Sequence, residues 1–272
     1  MKDITDKEFD LIRTYIKKQF GISLGNEKKS LVYSRLRTVL NDLKIDNFTD
    51  YYQYLQKDTS GQAVVRFIDK IATNHTFFMR EVDHFDYFRD VVLPYIEENY
   101  KKEADLRLWC AASSSGEEPY TLQMIIQDFF KGKSPSWNTE ILATDISTSI
   151  LDKAVHGVYS NESISVLPNK WQKNYFQKFD DENSQVTDSV KKDVTYRKFN
   201  LMEEKFPFKK KFQVIFCRNV MIYFDNVTRD QLVKKFYEFT EPGGYLFIGH
   251  SESLNHTSTE YKYKTPAVYR KM

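Results

Sequence analysis

A chain of 272 residues, 41% of them hydrophobic, can bury one large core or two modest ones. Its 40 basic and 38 acidic residues leave a net charge of +2, so composition makes no general case for nucleic-acid binding beyond a local patch. No apolar run approaches the roughly 20 residues that cross a bilayer, and Met1 to Asp6 lack the apolar centre of a secretion signal, which together predict a cytoplasmic protein.

Residues 1 to about 72 read as helices: Asp6 to Phe20, Asn26 to Leu43, a short one near Thr49 to Gln56, and Gln62 to Ile71. Each carries apolar residues at three- and four-residue steps. The second helix is basic. Its Leu31, Leu36, Val39 and Leu40 predict a buried face, which leaves Lys28, Lys29, Arg35 and Arg37 to point elsewhere, ordinarily as a solvated face. From about Leu106 the pattern alternates strand and helix, the mark of a parallel sheet.

The first such unit is Leu106 to Ala111 as a buried strand, then Ala112-Ser113-Ser114-Ser115-Gly116-Glu117-Glu118-Pro119-Tyr120, with Pro119 in the first turn of a helix to about Phe130. Small side chains at this turn let a ligand approach the backbone, as in a Rossmann-like cofactor seat. A dinucleotide fits poorly, because a pyrophosphate wants Gly-x-Gly-x-x-Gly and an uncrowded positive helix start, whereas here one glycine precedes two carboxylates. S-adenosylmethionine, with a sulfonium, an ammonium and no phosphate, fits better. The alternative is an ordinary turn capped by Ser115. Glu140 to Thr144 reads as the second strand, ending in Asp145, and Ser147 is placed to cap a helix through about Val155. Asp145 is the candidate acceptor for the ribose hydroxyls, or else a local turn residue.

From about Ser163 to Phe199 the rhythm breaks, with Trp171, Tyr175 and Phe176, an acidic turn at Asp180-Asp181-Glu182-Asn183-Ser184, and a strand at Thr195 to Phe199. This predicts a small antiparallel insertion before the chain rejoins the sheet at Asn200. The stretch Phe212 to Asp225 then reads as an apolar strand, Cys217 included, that abruptly delivers Arg218, Asn219 and Tyr223 at a strand tip, where open α/β sheets bind ligands. Asn219 is not followed by the paired prolines that hold an exocyclic base amine, so a nucleobase amine is not the expected substrate. Pro242-Gly243-Gly244 is read as a turn into the next strand, and Tyr261 to Arg270 as a closing hairpin around Pro266. Cys110 and Cys217 both fall in buried strands, predicting reduced core thiols. His75, His250 and Ser251 lack the elbow of a hydrolase nucleophile, and no His/Cys cluster has metal-ligand spacing, so no metal is expected.

Together with Thr73-Asn74-His75-Thr76-Phe77-Phe78-Met79-Arg80-Glu81 and Gly243-Gly244-Tyr245-Leu246-Phe247-Ile248-Gly249-His250-Ser251-Glu252, these segments closely resemble the CheR family of chemotaxis receptor methyltransferases, in order and spacing, over nearly the whole chain. Met79 stands where a second Phe or Tyr is usual, and Ser114-Ser115 replaces Ser-Thr; both bear on shape rather than chemistry. The resemblance implies an α/β, Rossmann-like S-adenosylmethionine-dependent methyltransferase sheet with a small antiparallel insertion (about 163–199). An all-α N-terminal domain precedes it, with receptor docking in 1–72 and catalysis in 73–272. It implies methyl-esterification of glutamate side chains on the cytoplasmic helical bundle of methyl-accepting chemotaxis proteins, with S-adenosylhomocysteine as product. By motif, Asn74, Thr76, Arg80, Glu118, Asp145, Asn200, Leu201, Arg218 and Asn219 are similar to the family's cofactor residues. Arg80 is the candidate for steering the substrate carboxylate and Tyr223 for lining the methyl path, and Lys28, Arg35 and Arg37 are implied in receptor docking. The competing readings are a non-catalytic S-adenosylmethionine-binding signalling module and a methyltransferase for another substrate. The acidic, glycine-free turn Phe179 to Gln185 further predicts that no tether to a receptor C-terminal tail is used.

Overall fold

Thr5 opens the first helix with a reciprocal cap: its side chain accepts from the Glu8 N–H, and the Glu8 carboxylate accepts from the Thr5 N–H. That carboxylate also accepts from the Phe48 N–H at 2.9 Å, so one acid starts two helices. The computed structural model describes residues 3–71 and 75–272. Helices α1 (Asp6–Phe20), α2 (Lys29–Leu43, after a 3-10 turn at Asn26–Lys28), α3 (Phe48–Lys57) and α4 (Gln62–Ile71) follow the predicted periodicity. They close around their own core, in which Phe9, Ile12, Ile16, Leu36, Tyr51 and Phe67 are fully or almost fully buried.

Helices α5 (Val82–Tyr87) and α6 (Leu93–Asn99), joined by a π-helical turn, lead into the sheet. Strand β1 is Leu108–Ala111, shorter by two residues than expected, followed by α7 (Glu117–Phe130), β2 (Ile141–Asp145) and α8 (Thr148–His156). Ser147 caps α8 as predicted, accepting from the Ile150 N–H. Ser115 does not cap α7. Gly116 takes that place without a side-chain cap, and its φ of +100° together with tyrosine hydroxyls 2.8 Å from where a Cβ would stand leaves room for glycine alone.

The insertion differs from its predicted extent. β3 (Val158–Ser160), α9 (Asn161–Ile164), α10 (Asn169–Tyr175), β4 (Phe176–Lys178) and β5 (Asn183–Val186) give a three-stranded antiparallel sheet in the order β3-β5-β4. After α11 (Asp188–Lys191), the strand expected at Thr195 to Phe199 is β6 (Val194–Lys198), and it pairs in parallel with β2 as an edge of the main sheet. The acidic turn is built without glycine because the Asp180 carboxylate accepts from the N–H groups of Glu182 and Asn183.

β7 (Phe212–Phe216), α12 (Asn226–Phe239), β8 (Thr240–Phe247), β9 (Lys262–Thr265) and β10 (Val268–Arg270) complete a seven-stranded sheet ordered β6-β2-β1-β7-β8-β10-β9. Pro242-Gly243-Gly244 is not a turn before the strand. It lies inside β8 as a register shift against β7. Side chains of β1 alternate between two cores, Leu108 and Cys110 on one face, Trp109 and Ala111 on the other. Cys110 and Cys217 are both buried and free, and they belong to opposite faces.

Candidate functional site

β1 lies between β2 and β7, all parallel, so the chain leaves the sheet in opposite directions from their carboxyl ends and a crevice opens there. A cavity of about 440 Å³ occupies it. Ala112 (φ +65°) and Ser114 (φ +48°) hold the first loop in left-handed geometry, a strain that collects at functional sites. The Ser114 N–H donates to Asp145 Oδ2 at 2.9 Å and the Ser147 N–H to Asp145 Oδ1 at 3.0 Å, so the second strand's terminal acid ties both loops while lining the cavity. Burial pushes its carboxyl up, with these N–H donors opposing.

Arg218, at the tip of β7, is buried under the cavity. It donates to Glu118 Oε2 at 2.6 Å, to Glu81 Oε2 at 3.0 Å, and to the Arg80 carbonyl. Asn219, in left-handed conformation at φ +58°, donates from its side chain to Glu81 Oε1 at 3.1 Å. Burial pushes the Glu118 carboxyl up while the Arg218 charge opposes it; for Glu81 the bonds to Asn219 and Arg218 outweigh burial and hold it down.

The tertiary structure brings the predicted residues together. Thr76, Arg80 and Glu118 line the cavity with Asp145, and so do Asn200, Leu201, Arg218, Asn219 and Tyr223. Asn74 lies outside the described residues. Asn200 also braces the fold, donating to the Gln19 carbonyl at 2.8 Å. Arg80 donates to the His75 carbonyl at 2.7 Å and sits over the Phe77 ring. The basic helix departs from expectation. Lys28, Leu31 and Arg35 of the α1–α2 region line the cavity, Arg35 donating to the Ile71 carbonyl at 2.6 Å, so α2 forms one wall of the site; Arg37 stays on the exposed outer surface, and Lys29 pairs with Asp6. Leu31 is half-buried at that wall and Val32 takes its place in the core.

Sequence reasoning missed three groups here. Glu81 anchors both Arg218 and Asn219; Glu252 is buried behind them; His84 is buried beside Glu81. All three stand in or next to the quoted motifs, and charged or polar groups inside apolar runs were the available signal. Metal-ligand chemistry was also invisible from spacing: Glu81, His84 and His250 converge with ligand atoms within 4.8 Å. Burial and the Arg218 charge push His84 down to about 3. The Glu81 carboxylate, however, already accepts from Arg218, Asn219 and the His250 N–H, so a cation would have to compete with a guanidinium 3.0 Å away.

Comparison with known proteins decides the family. The description "CheR methyltransferase, SAM binding domain" matches residues 74–269 and "CheR methyltransferase, all-alpha domain" residues 7–72. The chain belongs to the CheR methyltransferase family. It is 41% identical over 271 residues to a chemotaxis protein methyltransferase of Borreliella burgdorferi, covering 99% of this chain and 95% of that one. The chemotaxis protein methyltransferase of Escherichia coli is 31% identical over 269 residues, with 98% and 91% covered. The matched domain is one that binds S-adenosylmethionine, and the residues of the crevice suit that ligand: carboxylates rather than a glycine-rich phosphate cradle at the first loop, and a second-strand acid that lines the cavity. Chemotaxis and methyl transfer follow from the family, and among the described residues no helix is long and apolar enough to cross a membrane.

Proposed function

We propose that this CheR protein methyl-esterifies glutamate side chains on the cytoplasmic helical bundle of methyl-accepting chemotaxis proteins, tuning receptor adaptation in the cytoplasm. The observation that carries the reading is that Arg80 and Tyr223 reach the same cavity as Asp145 and Glu118. S-adenosylmethionine supplies, when bound, a methyl group on a sulfonium, and leaves as S-adenosylhomocysteine once a carboxylate oxygen has taken the methyl and the S–C electron pair has returned to sulfur. A glutamate with a pKa of about 4.3 is already ionised at neutral pH, so the chain has no proton to remove. Its task is alignment, which can contribute about 7 to 11 kcal/mol.

In this reading Asp145 holds the ribose, Asn200 and Leu201 flank the adenine, and Glu118 closes the seat together with Arg218. Arg80 steers the incoming carboxylate, and Tyr223 lines the methyl path. Residues 1–72 serve as the docking domain and 73–272 as the catalytic domain, with contact made directly through the helices rather than through a receptor tail. Labelled methyl transfer into receptor-bearing membranes tests it, the expected result being alkali-labile counts. Alkali-stable counts would point to another substrate, and no counts to a non-catalytic module. Arg80→Lys should lower turnover although charge is kept, because an ammonium cannot copy the two-point geometry of a guanidinium. Receptor C-terminal peptides should show no saturable binding at low micromolar concentration; binding lost on altering 163–199 would refute the tether-free mode.

A further inference from the structure

Glu252 is 7% exposed, and its carboxylate accepts hydrogen bonds from backbone. Oε2 accepts from the Gly249 N–H at 2.6 Å and from the Asn219 N–H at 3.1 Å; Oε1 accepts from the Ile222 N–H at 3.1 Å. The Met221 N–H also acts on it. Those donors belong to the end of β8 and to the loop that leaves β7 carrying Arg218, Asn219 and Tyr223. Asn219 has φ +58°, a left-handed conformation that asparagine enters more readily than most residues. Gly249 makes room, since a Cβ there would stand 2.3 Å from Asn219 Nδ2. Asn219, Ile222 and Tyr223 line the cavity, whereas Glu252 stands behind them.

A part-buried and a buried carboxylate thus grip one loop from different sides. Glu81 takes the side chains of Arg218 and Asn219, and Glu252 takes the backbone. Burying an ionised acid is costly unless its lone pairs are filled, and three backbone donors within 3.1 Å fill them.

We propose that Glu252 is a positioning residue for methyl transfer: by gathering the N–H groups of Asn219, Ile222 and Gly249 it sets where Tyr223 stands relative to the reacting carboxylate. The inference rests on the methyl-transfer reading. The Asn219 side chain is held separately by Glu81, and Glu252 touches neither the ribose acceptor Asp145 nor the adenine side, so its effect falls on turnover rather than on cofactor binding.

The test is Glu252→Gln, which keeps size but puts an NH2 donor against either the Ile222 N–H or the Asn219 and Gly249 pair. Wild-type counts in receptor membranes verify the methyl-transfer reading first; without them that reading fails, whatever the variant does. Cofactor Kd by calorimetry and KM for receptor should stay within about twofold while kcat falls about a hundredfold, the penalty for misplacing reacting groups by about 1 Å. Unchanged kcat overturns the proposal, and so does a parallel fall in kcat, cofactor affinity and melting temperature, which a purely structural role would produce. If the glutamine variant does not fold, Glu252→Asp decides: its shorter arm keeps the charge but cannot span all three donors. Retained cofactor affinity with reduced kcat supports the assignment, and wild-type kcat refutes it.

Discussion

Arg218 on the tip of β7 donates to Glu118 in the first turn of α7 at 2.6 Å, with side-chain exposures of 3% and 14%. The contact joins two loops that the sheet merely places near each other. Because the same guanidinium reaches Glu81 at 3.0 Å, its one positive charge is shared between two acids under the cavity floor.

Removing one partner of a buried pair strands the other. Arg218→Met should destabilise the protein by about 3 to 5 kcal/mol, read as a shifted urea midpoint. Adding Glu118→Gln to that variant should restore part of the loss, since it removes one of the stranded acids. Additive losses would show that the two residues do not couple.

Asp145 holds the Ser114 and Ser147 N–H groups, so truncating it would disturb two loops at once. Asp145→Asn retains one acceptor oxygen and should weaken S-adenosylmethionine binding by about 1.5 to 3 kcal/mol, the scale of a hydrogen bond to a charged group, with an unchanged circular dichroism spectrum. Calorimetry showing wild-type affinity would remove Asp145 from the ribose role.

The two arginines of α2 should separate. Arg37→Glu, on the exposed face, should lower methylation of receptor membranes in a salt-dependent way, since exposed charges are screened over about 8 to 10 Å, with cofactor affinity intact. Arg35→Glu changes the cavity wall and should reduce cofactor affinity as well. Identical behaviour of the two variants would contradict this division of α2.

Lys17 pairs with Asp225 at 2.8 Å, joining α1 to the cap of α12, and its hydrogen bond is the largest influence holding Asp225 down at about 2. A depressed carboxyl contributes stability that is complete above the unfolded pKa of about 3.9 and is lost as pH falls through about 2. Lys17→Met should therefore cost about 0.2 to 1 kcal/mol at neutral pH, and the gap from wild type should close between about pH 4 and pH 2 in thermal melts. A constant gap would mean the lysine acts through packing.

Helices α1 and α4 were legible to the residue, because an apolar period of 3.6 and a cap such as Thr5 are local properties of the chain. β2 with its terminal Asp145 was legible to within one residue, and so was the polar tip of β7, where an apolar run stops abruptly at charged residues. The small antiparallel insertion was anticipated, but its extent was not. The pairing of Val194–Lys198 with β2 rather than with its sequence neighbours is a choice between partners distant along the chain, and strand patterns look alike whichever sheet takes them. The continuity of β8 through Pro242-Gly243-Gly244 escaped for a related reason: turn-forming residues are equally suited to a bulge.

The sequence by itself determined the helical and α/β halves, the cofactor loop, and most of the side chains that meet in the crevice, since each depends on residue type and short spacing. Only the tertiary structure decided that α2 walls the site with Arg35, that Glu81 and Glu252 grip one loop, and that Glu81, His84 and His250 share a corner. The physical reason is range: a helix or cap is set by contacts within four residues, whereas Glu81 and Arg218 stand 137 residues apart and meet only after the sheet has chosen its strand order.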